Sequence, residues 1–214
     1  NSRLVKRRLR SSLLWCGVNL LRLLLAATFI FSGLVKLIDP RGTQYKIEDY
    51  AAAFGLSEWM IGLLPLALSV TLATTEFALG VQMLLGVRRR WTTWMVCIFL
   101  ALMTPLTLYL YLSDVVVDCG CFGDVLVLTN AQTLLKNVVL LAAAVVTACY
   151  HRLLTSSNTE RTQWLVSFYS WTFAVVFAGF NIYGLPMVDF SPFKVGTNLQ
   201  ERRADLDDMS LVQD

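Results

Sequence analysis

Apolar positions in this chain do not recur at a helical or strand period with polar residues between them; they run on. Five long runs cover residues 13–38, 60–86, 91–112, 130–151 and 164–185, and charged residues, glycine and proline collect in the short stretches between them. A bilayer core about 30 Å thick is crossed by roughly 20 mostly apolar residues in a helix, so each run is long enough to span. The pattern predicts an all-α integral membrane protein with five transmembrane helices. Residues 1–12 form a basic segment, 13–151 a four-helix membrane domain, 164–185 a fifth span and 186–214 a tail.

Composition agrees with that class. Of the 214 residues 56% are hydrophobic and 15% charged, with a mean hydropathy of +0.59. A soluble domain carries charge on about a quarter of its residues, and a disordered chain combines low hydrophobicity with high net charge. Neither description fits. The net charge of +3 gives no case for nucleic-acid binding, and the positions of the 18 Lys and Arg residues report orientation instead. Arg3, Lys6, Arg7, Arg8 and Arg10 precede the first span; Arg88, Arg89 and Arg90 follow the second; Arg152 and Arg161 follow the fourth. Between spans one and two there are only Arg41 and Lys46, and residues 113–129 contain no Lys or Arg. The positive-inside rule then places the N-terminus in the cytoplasm and the 39–59 loop, the 113–129 loop and the tail outside, as in a bacterial inner-membrane protein. Arg22 and Lys36 interrupt the first run and no small-x-small site follows it, so it reads as a retained span and not a cleaved signal.

The 39–59 loop mixes charges with Tyr45, Tyr50, Phe54 and Trp59, a composition suited to a short amphipathic element at the membrane interface. Thr104-Pro105 predicts a kink in the third span, since proline removes a helical hydrogen bond. The tail alternates Val188, Phe190 and Phe193 with polar residues before turning acidic, and its first half is expected to pack on the outer face.

The chemistry concentrates in Asp118-Cys119-Gly120-Cys121-Phe122-Gly123-Asp124, which falls in the outward 113–129 loop. Two cysteines one residue apart pair when the backbone bends sharply, and the intervening glycine permits the bend. So short a ring gains almost nothing through chain entropy, which makes a purely structural disulfide unattractive, whereas strained exposed disulfides are oxidising. An exported compartment allows the bond to form. Three readings stay open: redox cycling of Cys119 and Cys121, soft-metal binding of Cu(I) or Zn(II) with help from Asp118 and Asp124, and a loop without chemistry. Cys16, Cys97 and Cys149 lie toward the other ends of their helices and read as small packing residues.

Ionisable residues inside spans are costly and face the bundle interior by default. Counting about 1.5 Å of rise per residue from the middle of each run puts Arg22 and Glu76 at nearly the same depth, which predicts an ion pair that staples helices one and two or serves a proton or quinone site. Arg22, Phe29, Gly33 and Lys36 share one face of the first helix, and Gly33 allows a close helix approach. Lys136, beside Asn137 in the outer third of the fourth span, either snorkels outward or lowers the pKa of the loop thiols; Lys36 has the same two options.

Phe31-Ser32-Gly33 with Lys36, Asp39-Pro40, Glu76 with Gly80, and Asp118-Cys119-Gly120-Cys121-Phe122-Gly123 before a helix together resemble the methylamine-utilisation MauE and DoxX-like membrane proteins, over roughly residues 20–150. The resemblance implies a four-helix bundle to which this chain adds a fifth helix, and it implies periplasmic disulfide chemistry or maturation of a partner protein. It marks Cys119 and Cys121 as the redox pair and, through DoxX relatives, implies a quinone as electron carrier. Better known quinone-linked disulfide generators use two outward cysteine pairs, and this chain has one. Either the pair hands electrons directly to a quinone, or an exported thioredoxin-like partner supplies the second dithiol. A non-catalytic assembly or scaffold subunit is the competing reading.

Overall fold

The computed structural model describes residues 2–56, 58, 60–113, 129–156, 159 and 161–183, with side chains from residue 12 onward. Six α-helices account for most of them: α1 (Ser2–Ile38), α2 (Pro40–Ala53), α3 (Leu64–Leu85), α4 (Arg89–Ser113), α5 (Asn130–Cys149) and α6 (Gln163–Tyr183). Five contain stretches long and apolar enough to cross a membrane: Ser12–Ile38, Leu64–Leu85, Arg89–Ser113, Asn130–Cys149 and Gln163–Tyr183. These match the five apolar runs to within four residues at each end. The second begins later than its run because residues 60–63 form a turn, and Pro65 lies in the first helical turn of α3, where its missing N–H costs nothing.

The short amphipathic element expected in the 39–59 loop is α2. Asp39 caps it by accepting from the Gly42 amide at 2.9 Å, and Pro40 opens its first turn. Ser69 Oγ of α3 donates to the Pro40 carbonyl at 2.7 Å, tying the start of α2 to the bundle. α4 runs unbroken through Pro105. Thr129 and Gln132 start α5 with a reciprocal capping box, so the residues after 113 return to a firmly anchored helix.

Helices in lipid gain little from apolar burial and associate by close packing, which favours small residues at crossings. α1 and α3 meet at such a crossing. A Cβ added at Gly33 would lie 2.5 Å from the Phe77 backbone nitrogen, and one at Gly80 would lie 2.7 Å from that of Ile30. One core cluster then joins α1, α3, α4 and α5 through Leu25, Phe29, Leu79, Met83, Val96, Leu100 and Leu140. A second holds α6 against α1 and α3, with Leu37, Ala73 and Phe77 facing Ala174 and Ala178. On α6 the buried residues Ser170, Ala174, Ala178 and Asn181 form a narrow small-residue stripe, while Val176 and Phe180 are exposed as a lipid-facing side would be.

Arg22 does not meet Glu76. Its guanidinium donates to the carbonyl of Thr155 in the α5–α6 connector, where Arg89 donates to the Leu154 carbonyl and Asn19 bonds to both Leu153 and Thr155. Gly86, in the left-handed conformation that ends α3 (φ 68°), leaves room for the connector. The Gly33–Phe77 and Ile30–Gly80 contacts make the antiparallel register explicit: Glu76 is level with residue 34, about 18 Å along the helix from Arg22 at 1.5 Å per residue. Matching depths from the middles of the apolar runs fails because the two helices are staggered.

Replacing Gly33 by Ala is expected to destabilise the bundle by about 1–3 kcal/mol, the usual cost of overpacking. Gly179→Ala, at a site inside α6 with nothing within 4 Å of the added Cβ, is expected to cost nothing and to gain up to about 1 kcal/mol from helix propensity. Thermal unfolding of the two variants in the same detergent, followed by tryptophan fluorescence, checks the contrast.

Candidate functional site

The register that separates Arg22 from Glu76 delivers two other residues to it. Lys36 Nζ lies 2.6 Å from Glu76 Oε2, and Ser32 Oγ donates to the same oxygen at 2.7 Å. Lys36 also donates to Ser32 Oγ at 2.8 Å, closing a three-membered polar cluster. Ser32 and Lys36 stand one helical turn apart on α1, so both face the same point of α3. The ion pair is buried, with side chains only 5% and 8% exposed. Each ion loses several kcal/mol of hydration on burial, and the arrangement persists because the charges compensate each other and Ser32 satisfies both.

The cluster borders a cavity of about 340 Å³ lined by α1, α3, α4 and α5 and covered on one side by α2. Phe29, Leu72, Phe99, Leu100, Met103 and Leu140 provide apolar walls. Ile47, Tyr50 and Ala51 of α2, with its C-cap residue Phe54, cover it, spaced so that one face of the helix looks down. Phe54 stacks on Tyr109 of α4 with ring centroids 4.6 Å apart, which joins the far end of the roof to the opposite wall. Polar groups enter from several sides: Ser32, Lys36 and Glu76; Lys46 of α2; and Thr107, Lys136 and Asn137 at the α4–α5 wall. Asn137 Nδ2 donates to Thr107 Oγ1 at 3.3 Å, and both residues are buried. The chamber is thus mostly hydrocarbon-like with a few hydrogen-bonding and cationic groups, the usual build of a small-molecule site.

Lys36, Glu76 and Lys136, read separately from the sequence, therefore share one cavity. Arg22 lies outside it. Cys119 and Cys121, with Asp118, Gly120, Phe122, Gly123 and Asp124, lie outside the described residues, as does the tail from residue 184. Their loop leaves α4 at Ser113 and rejoins at Thr129, about two turns beyond Thr107 and Lys136. Cys97 packs partly buried against the first core cluster, as a small apolar residue does, but Cys16 and Cys149 are exposed. They sit on helix surfaces of spans, where hydrocarbon accommodates a thiol without protein packing.

Lys46 was missed because the 39–59 stretch reads as a surface loop, and the cavity was missed because its walls come from five helices. A period of three to four residues along Thr43, Ile47, Tyr50, Ala51 and Phe54 was the available sign that α2 presents one face inward.

A family model described as methylamine utilisation protein MauE matches residues 12–150. The chain belongs to the MauE family. The match contains α2 to α5 with the span of α1, hence the whole cavity, and stops at the C-cap of α5; α6 stands beyond it. Membership links this MauE-family membrane protein to methylamine utilisation. No curated protein and no solved structure matches the chain.

Replacing Glu76 by Leu leaves Lys36 charged and buried without its counter-ion and is expected to destabilise the protein by about 3–5 kcal/mol. The double variant Lys36→Met with Glu76→Leu recovers most of that loss, because well-packed apolar residues substitute for a buried pair at little cost. Thermal midpoints of the single and double variants check the coupling.

Proposed function

We propose that this MauE-family protein is a membrane thiol–disulfide redox component, in which Cys119 and Cys121 exchange electrons with an exported partner and with a quinone in the cavity. The observation that carries this reading is the position of the cavity: a mostly apolar chamber with cationic groups, two turns below the helix ends that hold the Cys-Gly-Cys loop. At about 340 Å³ it falls in the size range of ligand pockets, roughly 300–1,000 Å³. The residues fit a quinone. Phe29, Phe99 and Leu140 offer apolar walls for a ring, and Lys136 and Asn137 offer donors for carbonyl oxygens. A bound quinone supplies a sink for two electrons and two protons.

The chain's own contribution starts with the thiols. A thiolate on the exported partner attacks one sulfur of the Cys119–Cys121 disulfide and forms a mixed disulfide; the partner's second thiol displaces it, leaving the partner oxidised and Cys119 and Cys121 as a dithiol. A thioredoxin-like partner supplies that second thiol pair, since this chain has a single Cys-Gly-Cys motif. The same exchange runs in reverse when the partner is the oxidant. Lys136 raises the thiolate fraction of a cysteine near it, and Lys36, held by Glu76, keeps one wall of the cavity polar without adding net charge. The distribution of Lys and Arg supports a bacterial inner-membrane location with the N-terminus in the cytoplasm and the Cys loop and tail outside.

Cys121→Ser is expected to trap the partner as a mixed disulfide on Cys119, visible as a thiol-sensitive adduct, while the wild-type pair shifts between reduced and oxidised forms when intact cells are treated with an alkylating mass tag. A pair that stays fully reduced under every growth condition sinks the redox reading. So does an intact phenotype in the Cys119→Ser, Cys121→Ser double variant, which is the outcome a scaffold subunit produces.

A further inference from the structure

The α4–α5 seam carries a row of buried polar side chains. Thr107 of α4 and Asn130, Thr133 and Asn137 of α5 are all buried, and residues 130, 133 and 137 recur at helical spacing on one face of α5. At its lower end the seam opens into the cavity through the hydrogen-bonded pair Asn137 and Thr107, beside Lys136. At its upper end it reaches Ser113, the last residue of α4. With Asn137 opposite Thr107, antiparallel counting sets Leu110 level with Leu134, one residue from Thr133, and Ser113 level with the start of α5. Along the seam and at its upper end, the hydroxyl oxygens of Thr133 and Ser113 are buried and have no hydrogen-bond partner among the described residues.

A buried hydroxyl with no partner costs about 1–3 kcal/mol, and in a seam lined by other polar groups the usual remedy is trapped water. An all-apolar seam would have packed two helices in lipid more cheaply. Polarity here instead forms a line about 10 Å long, seven residues of helix rise, from the first residue of α5 to the cavity wall.

We infer that the α4–α5 seam is a proton path, in which Ser113, Thr133 and trapped water connect the loop end of the bundle with Asn137, Thr107 and the cavity. The inference rests on the redox reading given above. Forming one disulfide from two thiols breaks two S–H bonds and releases two electrons and two protons; converting a quinone to its quinol consumes the same two electrons and forms two O–H bonds. An apolar chamber that exchanges electrons must exchange protons equally, in either direction, and hydrocarbon walls conduct none. Lys36, Lys46, Tyr50, Glu76 and Lys136 are the ionisable side chains on the cavity wall, and Lys136 stands next to the point where the seam enters.

Hydroxyl-radical footprinting, which modifies side chains that touch trapped water, separates the path from the redox reading. In the wild-type protein in nanodiscs Leu110, which has no exposed surface, is expected to be modified, and Thr133→Val, with the same shape and no hydroxyl, lowers that modification several-fold. In proteoliposomes supplied with a short-tailed quinone, T133V is expected to slow disulfide formation at Cys119 and Cys121 by roughly tenfold and to enlarge its solvent isotope effect. The loss falls short of the ~10²–10⁴-fold worth of a positioned proton-transfer group because water substitutes in part. Thr133→Ser restores both readouts, which a packing defect would not allow. Leu110 unmodified in the wild type, or T133V with wild-type rate and isotope effect, overturns the path. A wild-type dithiol that quinone fails to oxidise overturns the redox reading instead, and the path is then judged on Leu110.

Discussion

The crossing of α1 and α3, where Gly33 and Gly80 let the two backbones touch, is the constraint on which the rest of the bundle depends. Without a hydrophobic drive between helices in lipid, only such close contact holds a pair of helices at one register. That register puts Ser32 and Lys36 against Glu76. A slip of one turn, about 5.4 Å, would leave an ammonium and a carboxylate buried apart, each at a cost of several kcal/mol. The glycine contact and the ion pair therefore enforce one another: steric fit permits the register, and electrostatics penalises the neighbours of it.

The two ends of the bundle are built for different tasks. At the Arg-rich end, Asn19, Arg22 and Arg89 grip backbone carbonyls of the connector after α5. At the loop end α2 covers one side of the cavity, tied by Ser69 to α3 and by Phe54 to Tyr109. Polar side chains at this end serve the interior space and the α4–α5 seam.

Much of the fold was legible in the residue order. The five spans, the helix inside the 39–59 loop, the close approach at Gly33 and the membership in the MauE family all follow from local features. The Cys-Gly-Cys motif stands out in the sequence because its residues are adjacent, and it lies outside the described residues. The site was legible only in pieces: Lys36, Glu76 and Lys136 each stood out as charges in apolar runs, and the partner assigned to Glu76 was the wrong one. Cys16 and Cys149 were misread as packing residues because sequence cannot tell a lipid-facing side of a helix from a protein-facing one when both are apolar.

What the sequence determined by itself was the 56% hydrophobic chain's class, its spans and its candidate chemistry, since transfer of a helix into lipid is close to a sum over neighbouring residues. The tertiary structure alone decided which charges meet, that five helices line one cavity, and that hydroxyls of α4 and α5 are buried without a partner among the described residues. Those are matters of register between distant segments. Register is set by steric contacts between backbones, and a stagger of a few turns between two apolar helices leaves no trace in the hydropathy of either.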